Sequence, residues 1–330
     1  MTTSTPTRDT VSPGIAVLAT GVAAAYLVNQ AFPAVSALTA AVVLGIVAGN
    51  LPILPDAARP GLRRATRSLL RCGVVLLGLQ LAVPELLGLG AGTIAAIVLT
   101  VAVGFLGTLG LGRLLRLPRG LTVLVATGFS ICGASAIAAM EGVVRRKDSE
   151  VATAVALVTL YGSLAIFAVP LAGSWLGLDD LLVGRWAGLA VHEVAQVVAA
   201  AAPAGAAAVA VAAVVKLGRV VLLAPIVTGM SLRERRAHDG PEGARPPLVP
   251  LFVLGFLAAA AVRTTGLLPD AALGLARTVT TVLLAGALFG LGSSVRLRAL
   301  LATGPRALLL GLLSTLLVGC TALGALLLLG

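Results

Sequence analysis

Two short strings place groups capable of chemistry inside otherwise apolar stretches: Ser130-Ile131-Cys132-Gly133-Ala134-Ser135 and His192-Glu193-Val194-Ala195-Gln196. At bilayer depth an ionisable side chain costs about 3 kcal/mol, so such groups tend to mark a binding site or a pathway. In the first string Gly133 sits among small hydroxyl and thiol side chains, which lets a helix break and leave backbone N–H groups unpaired. Unpaired N–H groups at a helix start attract anions. Ser130, Cys132, Gly133 and Ser135 therefore read as half of an anion-binding pocket; close helix packing through small residues is the other reading. In the second string His192 and Glu193 would point to different faces of a continuous helix. They reach one cavity only if the helix is unwound there. Gln196 lies one turn beyond His192 and would share its face. Glu193 could exchange protons and couple transport to an ion, with His192 as partner or relay; a satisfied interhelical hydrogen-bond cluster is the alternative. A zinc protease motif is excluded, because the residue four after His192 is Gln196 rather than a second histidine.

Lys216 and Arg219 form a third feature, three residues apart on one helical face of an apolar segment read as 205–230. Both are far from the segment ends, so snorkelling to water explains them poorly. They could neutralise Glu193 or hold an anionic substrate, and the planar arginine fork suits an oxyanion. Glu141, Gln80, Asn50, Ser293 and Ser294 are secondary candidates.

The elements that must carry these residues are membrane helices. Over 330 residues the chain is 58% hydrophobic and only 11% charged, with a mean hydropathy of +1.07; a soluble domain would be near a quarter charged. The formal net charge of +11 falls mostly in short junctions with little aromatic interleaving, which argues for basic membrane loops and against nucleic acid. Cys72, Cys132 and Cys320 are far apart and form neither a disulfide framework nor a metal spacing.

A span needs roughly 17–25 mostly apolar residues. Eleven candidates result: 14–31, 35–54, 67–84, 90–112, 120–142, 149–176, 183–203, 205–230, 248–266, 271–295 and 303–329. The first reads as an uncleaved helix after a polar tail, 1–13, and the only substantial hydrophilic loop is 231–247, read as cytoplasmic. The whole chain, 1–330, reads as a single integral membrane transport domain.

Arginine- or lysine-rich junctions follow the second (Arg59, Arg63, Arg64, Arg67), fourth (Arg113, Arg116, Arg119), fifth (Arg145, Arg146, Lys147), eighth (Arg233, Arg235, Arg236) and tenth (Arg296, Arg298, Arg306) candidates. Positive loops favour the cytoplasm. If all eleven span, the junctions after the fourth and fifth fall on opposite sides. If 120–142 and 183–203 are instead re-entrant or broken, all five junctions face the cytoplasm. The fold class expected is thus an all-α polytopic membrane protein with about 9–11 transmembrane segments, two of them interrupted or re-entrant.

Weak internal repetition agrees. Residues 74–87 resemble 284–301, in helices that this topology runs in opposite directions, and 128–139 can be laid against 188–200, pairing Cys132 with His192 and Ser135 with Gln196 to within one residue. Interrupted segments at corresponding positions of inverted repeats point to the midplane site of a secondary transporter. No ATP site is present, so uphill movement would draw on an ion gradient.

The strings Gly128-x-Ser130-Ile131-Cys132-Gly133-Ala134-Ser135, Val191-His192-Glu193-Val194-Ala195-Gln196 and Lys216-x-x-Arg219 with Leu223-Ala224-Pro225 resemble the YeiH family of bacterial inner-membrane proteins, from about Gly14 to the C-terminus. Where the second motif usually continues with glycine, this chain has Ala201. The family's name implies export of sulfate and location in the cytoplasmic membrane. The expected function is ion-coupled transport of a small inorganic or sulfur-containing anion, without enzymatic activity or cofactor. Substrate contacts would come from Ser130, Cys132, Gly133, Ser135, His192, Gln196, Lys216 and Arg219, and coupling to a proton or sodium ion from Glu193 and His192. The alternatives are a cation/proton antiporter using Glu193 and His192, or an intramembrane enzyme using Cys132 or Ser135 with His192. Besides the anion and coupling ion, the expected partner is the lipid bilayer, with homo-oligomerisation left open.

Overall fold

The structure, a computed structural model, describes residues 12–329 apart from 33, 34, 36, 52, 53, 56, 57, 82, 237–250 and 295–303. Most of the tail 1–13, most of the loop 231–247, and Arg296 and Arg298 lie outside the described residues.

Every regular element described is helical: α1 (Ser12–Ala31), α2 (Ala37–Asn50), α3 (Arg59–Leu77), α4 (Val83–Leu87), α5 (Gly90–Leu114), α6 (Arg119–Ser130), α7 (Ala134–Glu141), α8 (Asp148–Trp175), α9 (Asp180–Ala190), α10 (Val194–Ala201), α11 (Ala206–Val221), α12 (Leu223–Arg236), α13 (Leu251–Thr264), α14 (Asp270–Ser294) and α15 (Pro305–Leu329). Among the described residues six helices are long and apolar enough to cross a membrane, with α11 and α12 counted as one, Ala206–Arg235. The offset between α11 and α12 falls at Leu222, three residues before Pro225, whose ring crowds the preceding turn and whose missing N–H removes a helical bond.

Two boundaries differ from the sequence expectation. Helix α3 begins at Arg59, so Arg59, Arg63 and Arg64 are helical rather than junctional, and residues 231–236 continue α12 rather than opening the loop. The physical reason is common to both. Arginine and leucine are good helix formers, and the charged turns sit at a bundle end where their heads reach water.

The helices form two packed groups. In one, α1, α2, α3 and α14 surround a core that includes Leu18, Ala41, Leu62, Ala285 and Phe289, and α13 packs on α3. Glycines set the spacing: a Cβ on Gly45 or Gly49 of α2 would run into the Phe289 or Ser293 carbonyl of α14, the close approach expected of a small-xxx-small face. Along α3, Thr66, Leu69 and Gly73 meet Gly290, Gly286 and Leu284 of α14, so these two helices are antiparallel. The other group comprises α5 to α11 and α15, and holds the two interrupted segments. The groups meet where α7 packs on α3 and α8 on α14.

Both interrupted segments fold back on themselves. Helix α6 ends at Ser130, residues 131–133 turn, and α7 returns until Arg145 and Arg146 lie against Gly120 at the start of α6. The turn uses Gly133 at φ 74°, ψ −133°, where a side chain is strained. The second segment does the same between α9 and α10. Gly184 and Gly188 of α9 face Ala208 and Ala212 of α11, so α9 and α11 run parallel and α10 must run back between them. That return ends in a 3-10 turn, Ala202–Ala204, and at Gly205 with φ 93°. The bend after Ala201 is therefore made four residues later, at a glycine.

Ion pairs gather the basic stretches at one end. Arg119 pairs with Glu234, Arg63 lies 3.6 Å from Asp148, and Arg146 pairs with Asp148 and lies 3.7 Å from Glu141. The junctions after the second, fourth, fifth and eighth candidate segments thus share one end of the bundle.

Candidate functional site at the meeting of two helix breaks

The tips of the two folded-back segments touch. Glu193 Oε1 accepts a hydrogen bond from the Ala134 N–H at 3.4 Å, and a Cβ on Gly133 would lie 2.5 Å from Glu193 Cγ. The carboxylate therefore occupies the start of α7, where the helix dipole and the unpaired N–H favour negative charge. Glu193 is itself the extended residue preceding α10, so one residue ends one break and fills the other.

Arg219 joins the carbonyl ends of both half-helices. Its Nε donates to Ser130 O at 3.0 Å and one terminal nitrogen to Phe129 O at 2.8 Å. The other terminal nitrogen donates to Leu189 O and to Val191 O at 3.5 Å. Lys216 Nζ donates to the same Val191 carbonyl at 2.7 Å. Carbonyls in the last turn of a helix have no intrahelical partner, and two such ends buried together would be costly without this cation. Both side chains are fully buried. Helix α11 brings them there because residues three apart share a face.

The remaining sequence candidates divide into those facing the junction and those spent locally. Ser130 Oγ donates back to Ala126 O at 2.6 Å, so its carbonyl rather than its hydroxyl serves the site. Ser135 Oγ donates to Cys132 O at 3.2 Å and lies 2.9 Å from Cys132 Sγ, bracing the turn around Gly133. His192 lies in the break rather than on a helix, so the shared face expected with Gln196 does not form. Its Nε2 is 3.1 Å from Thr315 Oγ1, and its ring centroid is 4.4 Å from that of Phe129. Gln196 packs its amide on Gly162 of α8, where a Cβ would clash. Glu193 and His192 thus have different partners: one reaches α7, the other α15. Among the secondary candidates, Asn50 Nδ2 and Ser293 Oγ donate to backbone carbonyls of their own helices, at 2.8 and 2.7 Å, and Glu141 belongs to the ion pairs at the basic end.

Sequence reasoning missed three contributors. Thr315 and Phe129 frame His192, and Gly162 makes room for Gln196. The polar pair Ser314-Thr315 inside an apolar stretch was the available signal for the first. Buried hydroxyls of Thr100 and Thr108 on α5, Thr159 on α8 and Ser314 on α15 have no hydrogen-bond partner among the described residues. Gly104, between the two α5 threonines on the same face, packs on Ser130 and Val318, so this polar stripe runs past the α6 tip. No three side chains of His, Cys, Asp or Glu converge among the described residues as a metal site would require.

The charge at the junction is unbalanced. Two helix C-termini and two helix N-termini meet here, and their partial charges cancel to first order. Lys216 and Arg219 then face the single carboxylate of Glu193, with no ion pair among the described residues joining either cation to an acid. Fully ionised, the site carries one excess positive charge; with Glu193 protonated it carries two.

A family model described as "Conserved hypothetical protein 698" matches residues 13–311. The UPF0324 membrane protein Cgl0015/cg0018 of Corynebacterium glutamicum is 46% identical over 318 residues, which cover 96% of this chain and 92% of that one. UPF0324 membrane protein PA5383 of Pseudomonas aeruginosa is 37% identical over 292 residues, 84% of this chain and 82% of its own, and UPF0324 membrane protein Atu0671 of Agrobacterium fabrum is 34% identical over 291 residues, covering 88% and 84%. No solved structure matches. With both broken segments inside the matched residues 13–311 and 96% of the chain aligned to the Corynebacterium relative, the chain belongs to the UPF0324 family of membrane proteins, consistent with its resemblance to the YeiH family.

Proposed function

We propose that this protein is a secondary transporter of a small oxyanion, sulfate or a related sulfur oxyanion, in the bacterial cytoplasmic membrane, and that the anion binds between the two helix tips. The observation that carries this reading is the excess positive charge of Lys216 and Arg219 over Glu193 in a buried junction. Burying unmatched charge is costly, and a bound anion is the natural counter-charge. The resemblance to the YeiH family, whose name implies sulfate export, agrees in substrate class.

Glu193 supplies the coupling. In the described conformation its carboxylate takes the Ala134 N–H, so it stands where a substrate oxygen would bind. Protonation removes its charge, weakens that bond and raises the excess from one to two, which matches a dianion. Proton and anion then bind together, and anion affinity rises as pH falls. The charged and titratable groups gathered around Glu193 are Lys216 and Arg219 of α11 and Cys132 of the opposite break. Because Arg219 already serves four carbonyls, its contribution is field and framework, with Lys216 the more movable donor. The seam between the two helix groups, where Ser135 and Arg71 line a narrow crevice, suits relative motion of one group against the other, and the two oppositely directed hairpins suit an inverted-repeat transporter.

The engagement of His192 by Thr315 and of Cys132 by Ser135 favours transport over nucleophilic chemistry, because neither nucleophile is paired with the imidazole. The test is sulfate flux into proteoliposomes across a pH series. Glu193→Gln, which mimics the protonated acid, is expected to retain anion binding and lose its pH dependence. A variant with the parental pH profile would remove Glu193 from the coupling.

A further inference from the structure

At the basic end a cavity of about 450 Å³ opens between the end of α5, the start of α6 and α12. Three guanidinium groups border it: Arg113 from α5, Arg119 from α6 and Arg233 from α12. Arg119 is fixed by the buried carboxylate of Glu234, whereas Arg113 and Arg233 form no ion pair among the described residues. With Arg119 matched by Glu234, the charges of Arg113 and Arg233 around one space repel unless something negative sits between them. Apart from Thr122, the rest of the wall is apolar, with Leu109, Leu117, Val123 and Met230. Leu106 and Leu114, on the outer side of the same stretch of α5, are 65% and 77% exposed, so the mouth borders the lipid-facing surface.

We infer that this cavity binds a phosphate group, held by Arg113, Arg119 and Arg233, either as the headgroup of an anionic phospholipid or as a free phosphate ion. Arginine forks match phosphate oxygens bidentately, the volume suits a small ligand, and the apolar wall suits the carbon next to a phosphodiester. The site has a mechanical meaning. Helix α6 runs from this cavity to the carbonyls that Arg219 holds, and α12 continues the helix that carries Arg219. A phosphate bridging Arg119 and Arg233 would add a second link to the Arg119–Glu234 pair that joins those two elements at their basic ends.

The experiment measures thermal unfolding of the purified full chain in phosphatidylcholine nanodiscs, with and without phosphatidylglycerol, and separately with inorganic phosphate against potassium chloride of equal ionic strength. A higher midpoint with phosphatidylglycerol alone assigns the site to lipid, and a higher midpoint with inorganic phosphate assigns it to the free ion. In either case Arg113→Gln combined with Arg233→Gln is expected to raise the half-saturating concentration about tenfold or more, while Arg113→Lys with Arg233→Lys keeps much of the effect. Absence of stabilisation by either phosphate source beyond the chloride control, or a shift that survives the double glutamine variant, would overturn the inference.

Discussion

Replacing Arg219 with Met is expected to lower the thermal midpoint of the solubilised protein sharply and to reduce the amount of folded protein recovered from membranes. The substitution removes the donor shared by Phe129, Ser130, Leu189 and Val191 carbonyls. Val191 O keeps Lys216 as its donor, but a buried acceptor left unsatisfied costs about 1–3 kcal/mol, and the other three at two adjoining helix ends amount to a large share of the stability of a typical domain, ~5–15 kcal/mol. Arg219→Lys is expected to fall between, because an ammonium keeps the charge but cannot reach both helix ends as a fork does. Differential scanning fluorimetry of the three proteins distinguishes this framework role from that of a dispensable anion contact. An Arg219→Met protein with the parental midpoint would contradict it.

Gly133→Ala is expected to separate folding from transport. At φ 74° and ψ −133° an alanine is strained by about 1–3 kcal/mol, which a membrane bundle of this size can absorb. The added methyl would also lie 2.5 Å from Glu193 Cγ, so Glu193 must leave the Ala134 N–H and the two tips must part. The folded variant should therefore show a modestly lower midpoint together with near-complete loss of anion flux. Ser135→Ala, in contrast, removes a local brace and should leave measurable flux. Parental flux by Gly133→Ala would show that contact between the tips is dispensable.

Much of this arrangement was legible before the structure. Gly133 among small polar residues, and a His-Glu pair that no continuous helix could orient into one cavity, marked both breaks to within a residue or two. The charge pattern of the junctions offered folding back as one of two readings, the one that puts the basic stretches at 113–119 and 145–147 on the same side. Neither cue, however, shows where a backbone carbonyl points. The four acceptors on Arg219 are peptide oxygens without a signature of their own, so Lys216 and Arg219 read as partners of Glu193 or of an anion, and the role of Arg219 as a cap for two helices could not be read. The separation of His192 from Glu193 was hidden for a related reason: adjacent residues of an extended break point to opposite sides, and their partners, Thr315 and Ala134, lie 123 and 59 residues away. Arginines at 59–64 and 233–236 misled the boundaries because a charge that ends a membrane span does not end a helix.

The central claim is that a small oxyanion binds at the junction of the two tips and competes there with the carboxylate of Glu193. Its most direct measurement is the thermal stabilisation of purified protein by sulfate, against chloride at equal ionic strength, across a pH series in wild type and Glu193→Gln. The account predicts that sulfate stabilises the wild type more strongly as pH falls, and stabilises Glu193→Gln equally at every pH. Sulfate that stabilises neither protein at any pH, while sodium or a change of pH alone does, would contradict it and favour cation exchange at Glu193.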